Sequence, residues 1–327
     1  MSVLVSSRQP FDITIIIPTF NRMWALPRAI ESCFANGCST STEVIVIDDG
    51  STDGTWEWLQ KQKAVTSICT PNWGKDRAVN AGMAAAQGEY IRFLDSDDWL
   101  EPRANAEQLA EGRKLHADIV VAGYRDYFEI SDRLELNTWV DCDDFVAQQL
   151  GEVSFSHYSA FLFRKAFIKD IPHRQEFALR DDRMFVLEAA IKGPRLAIYS
   201  KPAFVHRHHM RARLQRTTGF RRDLADWTTI QVYRKAIGLL QMRGELTERR
   251  QRAAMSQVWP AVRNLARSQL DDAAEAAQWI WTLDPAFIPP ARLPILWAYR
   301  KLGFRTTERL MRLYYVFRRS PPTGPPI

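Results

Sequence analysis

Glu43-Val-Ile-Val-Ile-Asp-Asp-Gly-Ser-Thr-Asp-Gly54 is the stretch whose reading decides the fold. Val44 to Ile47 are all β-branched and apolar, with no polar alternation. A strand buried on both faces of a parallel sheet reads this way. The run then breaks into carboxylates. A helix follows, at about residues 55–63, with Trp56 and Leu59 on one face and Trp58 on another.

The same unit recurs on either side. Upstream, Ile13-Thr-Ile-Ile-Ile17 reads as a buried strand ended by Pro18. A polar loop, Pro18-Thr-Phe-Asn-Arg22, leads into an amphipathic helix at about 24–35 that stops near Gly37. Pro27 falls in its first turn, where no backbone donor is lost. Downstream, the apolar segment Glu89-Tyr-Ile-Arg-Phe-Leu94 runs into Asp95-Ser-Asp-Asp-Trp99. Repeated strand, loop and helix imply an open α/β sheet. Ligands bind such sheets beyond the carboxyl ends of the strands. Loops 18–22, 48–52 and 95–98 all leave ends of that kind and are expected to meet at one crevice. Asp95, Asp97 and Asp98 suit a hard divalent cation, Mg²⁺ or Mn²⁺, which prefers oxygen ligands. A charged turn with an N-cap is the alternative.

The motifs IIIPTFNR, VIVIDDGSTDGT and NWGKDRAVNAGMAAAQGEYIRFLDSDDWLEP, in that order, resemble the N-terminal half of family 2 glycosyltransferases with the GT-A fold. The resemblance covers residues 12–125 in detail and continues more weakly to about 210. It implies inverting transfer from a nucleotide-diphospho-sugar, by default a UDP-sugar, with Mn²⁺ or Mg²⁺. It places Pro18, Thr19, Phe20 and Arg22 on the donor, and Asp49 under the base's N–H. Asp95, Asp97 and Asp98 fall on the family's Asp-x-Asp signature, with Asp97 on the metal and Asp95 reaching metal, ribose or sugar. Relatives often read Ala-Arg-Asn where this chain has Ala78-Val79-Asn80. The expected arginine contact then passes to Lys75 or Arg77, beside Asn80, or is absent.

Transfer of this kind also needs a group to accept the acceptor hydroxyl's proton. Arg180-Asp-Asp-Arg-Met-Phe185 precedes a helical stretch, 185–192, that stops at Gly193. By the resemblance, Asp182 takes the base position and Asp181 replaces the usual Glu. Capping of the helix N-terminus is the alternative for both. His206-Arg-His-His209 follows a short strand at 203–205. The resemblance places such an element near the diphosphate, with Arg207 and His208 on phosphate and His208 completing the metal shell. Solvated loop residues are the alternative. Trp73 and Trp99 flank the crevice in sequence and are open to stacking on substrate or to packing.

The chain has 327 residues, enough for one large domain and an appendage. The expected organisation is a catalytic domain at 1–215, a basic helical region at 216–319 and a disordered Pro-rich tail at 320–327. Cys33, Cys38, Cys69 and Cys142 show no CxxC spacing and read as reduced thiols. Residues 1–12 lack a signal-peptide pattern, and no apolar run approaches membrane-spanning length. The reading is a cytoplasmic protein, peripheral on the inner face of a membrane.

Residues 1–200 hold 21 Lys+Arg against 29 Asp+Glu, a net −8; residues 201–327 hold 23 against 9, a net +14. Helices are expected near 223–243, 247–270 and 272–283. In the last stretch Trp297 and Tyr299 precede Arg300 and Lys301. Leu310, Leu313, Tyr314 and Phe317 then share one side, and Arg305, Arg309, Arg312 and Arg319 another. Such a helix lies at an anionic membrane surface or packs on the protein with its arginines in water. The acceptor implied by the resemblance is a glycan or lipid-linked glycan. The charge carries no nucleic-acid reading motif, so no nucleic-acid partner is expected. A nucleotidyltransferase would need glycine in the first loop, which PTFNR lacks. A non-catalytic binding module would tolerate losing the metal or base acids, yet both are present.

Overall fold

The computed structural model describes residues 11–35, 40–211 and 220–319, with side chains to Tyr314 beyond Arg221. Gly37, Cys38, the side chains of Phe317 and Arg319, and the 320–327 tail lie outside the described residues. The chain divides into two compact units, 1–149 with 153–212, and 150–152 with 213–327.

Nine strands form the sheet of the first unit. They are β1 (Phe11–Thr19), β2 (Thr42–Asp48), β3 (Thr66–Cys69), β4 (Gly88–Phe93), β5 (Trp99–Leu100), β6 (Ile119–Phe128), β7 (Arg133–Asn137), β8 (Leu162–Arg164) and β9 (Leu196–His208). Their order is β3-β2-β1-β4-β8-β6-β9-β5, with β7 paired to β6. The first four are parallel, as expected; β8 runs antiparallel to β4 and β6, and β9 parallel to β6. Helices α1 (Leu26–Phe34), α2 (Thr55–Leu59), α3 (Lys75–Ala85), α4 (Ala104–Lys114), α5 (Phe145–Gln149), α6 (Lys165–Ile168) and α7 (Asp181–Ile191) belong to this unit.

Ile13, Ile15, Ile16, Ile17 and Val44 to Ile47 are all in the core. Each such burial contributes about 1.5–3 kcal/mol. α3 lies close against this surface because of Gly82. A Cβ there would stand 2.6 Å from Ile16 Cγ2 and 2.8 Å from Ile47 Cδ1. That approach delivers Lys75, at the start of α3, to the ends of the central strands.

Four expectations are corrected. Pro18 does not end β1, which continues to Thr19 opposite Asp48. β4 pairs with β1 only as far as Ile16, so on that edge the missing N–H of Pro18 breaks no ladder bond. α2 stops at Leu59 rather than near 63, and Trp58 packs against the core alongside Trp56. The apolar segment before the acidic turn carries a fully buried cation. Arg92 donates to Asn105 Oδ1 (2.7 Å), Ser159 O (2.9 Å) and Gln108 Oε1. β9 spans thirteen residues rather than three and includes His206, Arg207 and His208.

The second unit contains α8 (Phe220–Met242), α9 (Glu248–Leu265), α10 (Leu270–Leu283) and α11 (Leu293–Arg319). Buried Trp259 gathers Trp281, Phe287, Tyr299 and Phe304, with ring centroids 5.5–5.9 Å away. Gly303, at φ 77°, interrupts α11. Beyond it, Phe304, Thr307 and Glu308 turn inward, while Leu310, Leu313 and Tyr314 are about half exposed. Among the described residues no helix is long and apolar enough to cross a membrane.

Candidate active site

The polar loops leaving the parallel strands are tied to one another. Asn21, at φ 53°, donates its N–H to Ser51 Oγ (2.8 Å), and its side-chain oxygen accepts the N–H of Thr52 (2.8 Å). Met23 N–H reaches Asp53 at 3.1 Å. Asp49 donates its N–H to Thr19 O (2.8 Å) and holds the 70–74 loop through its carboxylate. Oδ1 accepts from Thr70 Oγ1 (2.8 Å) and Trp73 N (2.7 Å), and Oδ2 from Gly74 N (2.8 Å). Phe20 and Trp73, 42% and 51% exposed, stand on the loops either side of Asp49. Pro18 and Thr19 are buried and shape the floor from behind.

The acidic turn follows β4. Asp98 N–H closes it onto Asp95 O at 3.0 Å. Ligand atoms of Asp95, Asp97 and Asp98 all lie within 4.8 Å of one another. Lys75 Nζ donates to Asp95 Oδ1 at 2.5 Å. Burial disfavours the Asp95 carboxylate, but Lys75 overrides it and holds the group at about 2. Burial likewise opposes the Lys75 charge, and Asp95, Asp181 and Asp182 together raise its pKa instead. One ammonium therefore faces both the acidic turn and the start of α7.

Asp97 Oδ2 lies 2.9 Å from His209 Nε2 and 3.8 Å from Arg22 Nε. Arg211 N–H lies 3.1 Å from His209 Nδ1. Asp98 Oδ1 accepts Arg207 N–H at 2.9 Å, and its other oxygen is buried with no partner. Burial, with the charges of Asp97 and Asp95 adding, pushes the Asp98 carboxyl well up.

These features fit a divalent cation. The donors are carboxylates, one buried oxygen is unsatisfied, and the 2.9 Å Asp97–His209 spacing is that of neighbouring ligands with bonds of about 2.1 Å. Asp97, Asp95 and Asp98 would hold the ion, with His209 as the imidazole.

It is His209 that reaches the acidic turn, while the expected His208 meets Asp126. Strand geometry explains the correction, because alternate side chains point to opposite faces. His206 and His208 point together at Asp126 Oδ1, at 3.0 and 2.6 Å. Arg207 and His209 point the other way, against Trp24, at 4.8 and 4.7 Å. Arg207 also pairs with Glu129, which anchors β9 beside the acidic turn.

Three more residues expected on the donor make contacts within the protein. Trp99 is covered by the Arg28 guanidinium at 3.4 Å and edged by Tyr127. Asn80 clamps the backbone of His173 through two bonds, at 2.7 and 2.9 Å. Arg77 bonds Gln175 Oε1 at 2.8 Å.

α7 begins at Asp181, four residues earlier than expected, so both acids sit in its first turn. The N-cap residue is Arg180, whose side chain makes no capping bond. Asp181 is buried and meets His173 Nδ1 at 2.7 Å, and His173 Nε2 meets Tyr158 OH at 2.7 Å. Asp182 Oδ1 accepts the neighbouring Arg183 N–H (2.7 Å). Burial, then the Asp181 charge, raise the Asp182 pKa against the pull of Lys75. Asp181 is thus fixed in the core by His173. His173 and Tyr158 gave no signal in the sequence, since a lone His and a lone Tyr in loops fit any role.

Solved structures share the architecture. Staphylococcus aureus TarS residues 1–349 with UDP-GlcNAc superposes with a TM-score of 0.61 at 16% identity, covering 93% of this chain and 92% of that one. The mannosyltransferase PcManGT of Pyrobaculum calidifontis, with GDP-Man and Mn²⁺, gives 0.50 at 17%, covering 94% and 89%. The fold is GT-A.

Residues 14–172 match glycosyl transferase family 2. EpsH of Bacillus subtilis, provisionally named a glycosyltransferase, is 26% identical over 227 residues, 62% of this chain and 63% of EpsH. Chondroitin synthase of Escherichia coli is 41% identical over 106 residues, 31% of this chain and 15% of that protein. The chain spans less than two thirds of the length of each of these relatives. The likeness to glycosyl transferase family 2 thus covers residues 14–172 of the 327.

Proposed function

We propose that the chain transfers a sugar from a UDP-sugar, with inversion, to a hydroxyl of a glycan or lipid-linked glycan, using Mn²⁺ or Mg²⁺. The observation that carries this reading is Lys75. It pairs with Asp95 and is held charged by Asp181 and Asp182, so the donor-side acids and the base lie around one ammonium.

Asp97, Asp95, Asp98 and His209 would hold the cation, which offsets charge on the departing nucleoside diphosphate. Phe20 and Trp73 offer exposed ring faces to the base beside Asp49. Asp49 keeps further acceptor capacity on Oδ2, which takes one bond. Asp182 accepts the proton of the acceptor hydroxyl as it attacks, and its raised pKa gives it affinity for that proton. UDP-GlcNAc is the first donor to test because TarS, a neighbour in fold, holds it.

The C-terminal helix supports a place at an anionic membrane surface. Trp297, Leu310, Leu313 and Tyr314 are exposed on the same segment as Arg300, Lys301, Arg309 and Arg312.

A thermal-shift panel of nucleotide sugars, with and without Mn²⁺, tests the donor. Stabilisation by UDP-GlcNAc that needs Mn²⁺ supports the reading. No stabilisation by any nucleotide sugar rejects it. Transfer with retained anomeric configuration would reject inversion alone.

A further inference from the structure

We propose a second metal site, for Zn²⁺, formed by Asp126, His206 and His208 at the seam between β6 and β9. It shares no ligand with the 95–98 turn, although His206 lies near enough to act on the charges of Asp98 and Asp95.

The backbone dictates the cluster. β6 and β9 are parallel neighbours, and Asp126 stands opposite His206. His208 is two residues on, so it returns to the same face. Two ring nitrogens then converge on a single oxygen. His206 Nδ1 lies 3.0 Å and His208 Nε2 2.6 Å from Asp126 Oδ1, and the three atoms fall within 4.8 Å of one another.

The surroundings hold these atoms in place. Asn137 Nδ2 takes the other Asp126 oxygen at 2.8 Å, which turns Oδ1 to the cluster. A hydrogen bond from behind a ligating carboxylate is the usual support for a metal ligand. Phe128 stacks on His208 at 4.6 Å and 10°, and His157 on His206 at 5.0 Å and 28°. The His208 side chain is 34% exposed, while His206 and Asp126 are about half that. One side therefore remains open for entry and for a water as fourth ligand.

The donor chemistry selects the ion. Two imidazoles and one carboxylate suit Zn²⁺ and its borderline neighbours, whereas three carboxylates beside a single imidazole, as at 95–98 with His209, suit harder ions. Bonds of 2.0–2.1 Å place tetrahedral ligands about 3.3 Å apart, so the cluster opens by a few tenths of an ångström on binding. The competing description is a carboxylate hydrogen-bonded by two neutral histidines. Filling the site would pin β9 to β6 directly before His209, which reaches Asp97.

The test is Zn²⁺ titration by calorimetry on the dialysed full chain, in millimolar Mg²⁺ to occupy the acidic turn. Co²⁺ absorption spectra run in parallel. One Zn²⁺ per chain is expected in the wild type and in Asp97→Asn. Affinity should fall roughly tenfold or more in His208→Gln and His206→Gln. Wild-type Co²⁺ should give the intense visible bands of a tetrahedral site with imidazole. No Zn²⁺ binding overturns the proposal. So does binding lost in Asp97→Asn, or binding kept in both His variants. Should the His variants not fold, the wild-type Co²⁺ spectrum decides: weak octahedral bands alone overturn it.

Discussion

Replacing Lys75 with methionine removes the one ammonium that faces both acidic elements while leaving most of its aliphatic stem in place. Lys75 holds Asp95 at about 2, against an ordinary value of 3.8. At about 1.4 kcal/mol per tenfold in proton affinity, that difference is about 2 kcal/mol. Both side chains are only about a quarter exposed, so water screens the pair weakly. The sign fixes the pH range. A carboxylate with a depressed folded value stabilises above its unfolded value and loses that contribution as pH falls through the folded one. The unfolding free energies of wild type and Lys75→Met should therefore differ by about 2 kcal/mol at pH 6–7. The gap should narrow below about pH 4 and close toward pH 2. Urea titrations followed by circular dichroism from pH 7 to 3 read this directly. A gap that is absent at pH 7, or that does not narrow in acid, refutes the electrostatic role of Lys75.

Asp182→Asn should lower kcat about 10²–10⁴-fold with donor affinity unchanged; equal losses in both would remove Asp182 as the base. Because burial and Asp181 raise Asp182, wild-type kcat should climb with pH above the ordinary carboxylate range. A kcat that is flat from pH 5 to 8 and falls only near pH 4 would contradict this. Asp98 is raised, so its stabilising protonated form is lost as pH rises through the folded value. Asp98→Asn, which keeps the acceptor for Arg207 N–H, should therefore raise Tm of the metal-free protein at pH 7; a lowered Tm would show that Asp98 is not strained there. The 327-residue chain should bind vesicles of anionic lipid and release them in high salt, and deletion of 294–327 should abolish binding. Equal binding by both would assign the exposed helix another use.

Much of the site was legible because its chemistry is local in sequence. The runs Ile13 to Ile17 and Val44 to Ile47 have no solvent face, so their burial and the position of the loops beyond them follow directly. Asp95, Asp97 and Asp98 sit on one turn and arrive together. What the sequence hid are pairings between distant segments. Nothing local tells that Asn80 closes on His173, or that Asp181 is consumed by a histidine in the core. Trp99 looked available until Arg28, seventy-one residues earlier, covered its face. The error over His208 was one of length. A strand read as 203–205 left 206–209 as a loop with no fixed faces, whereas β9 continues to 208 and separates the histidines by parity. Arg92 escaped notice because a polar network from Asn105, Gln108 and Ser159 is invisible within an apolar-looking run.

The central claim is that a cation at Asp97 grips the diphosphate. Mn²⁺ counted by electron paramagnetic resonance, with and without UDP, in wild type and Asp97→Asn, tests it most directly. One Mn²⁺ per chain that tightens with UDP in the wild type and is lost in Asp97→Asn is the expected result. UDP bound equally well by both proteins in excess chelator would contradict it.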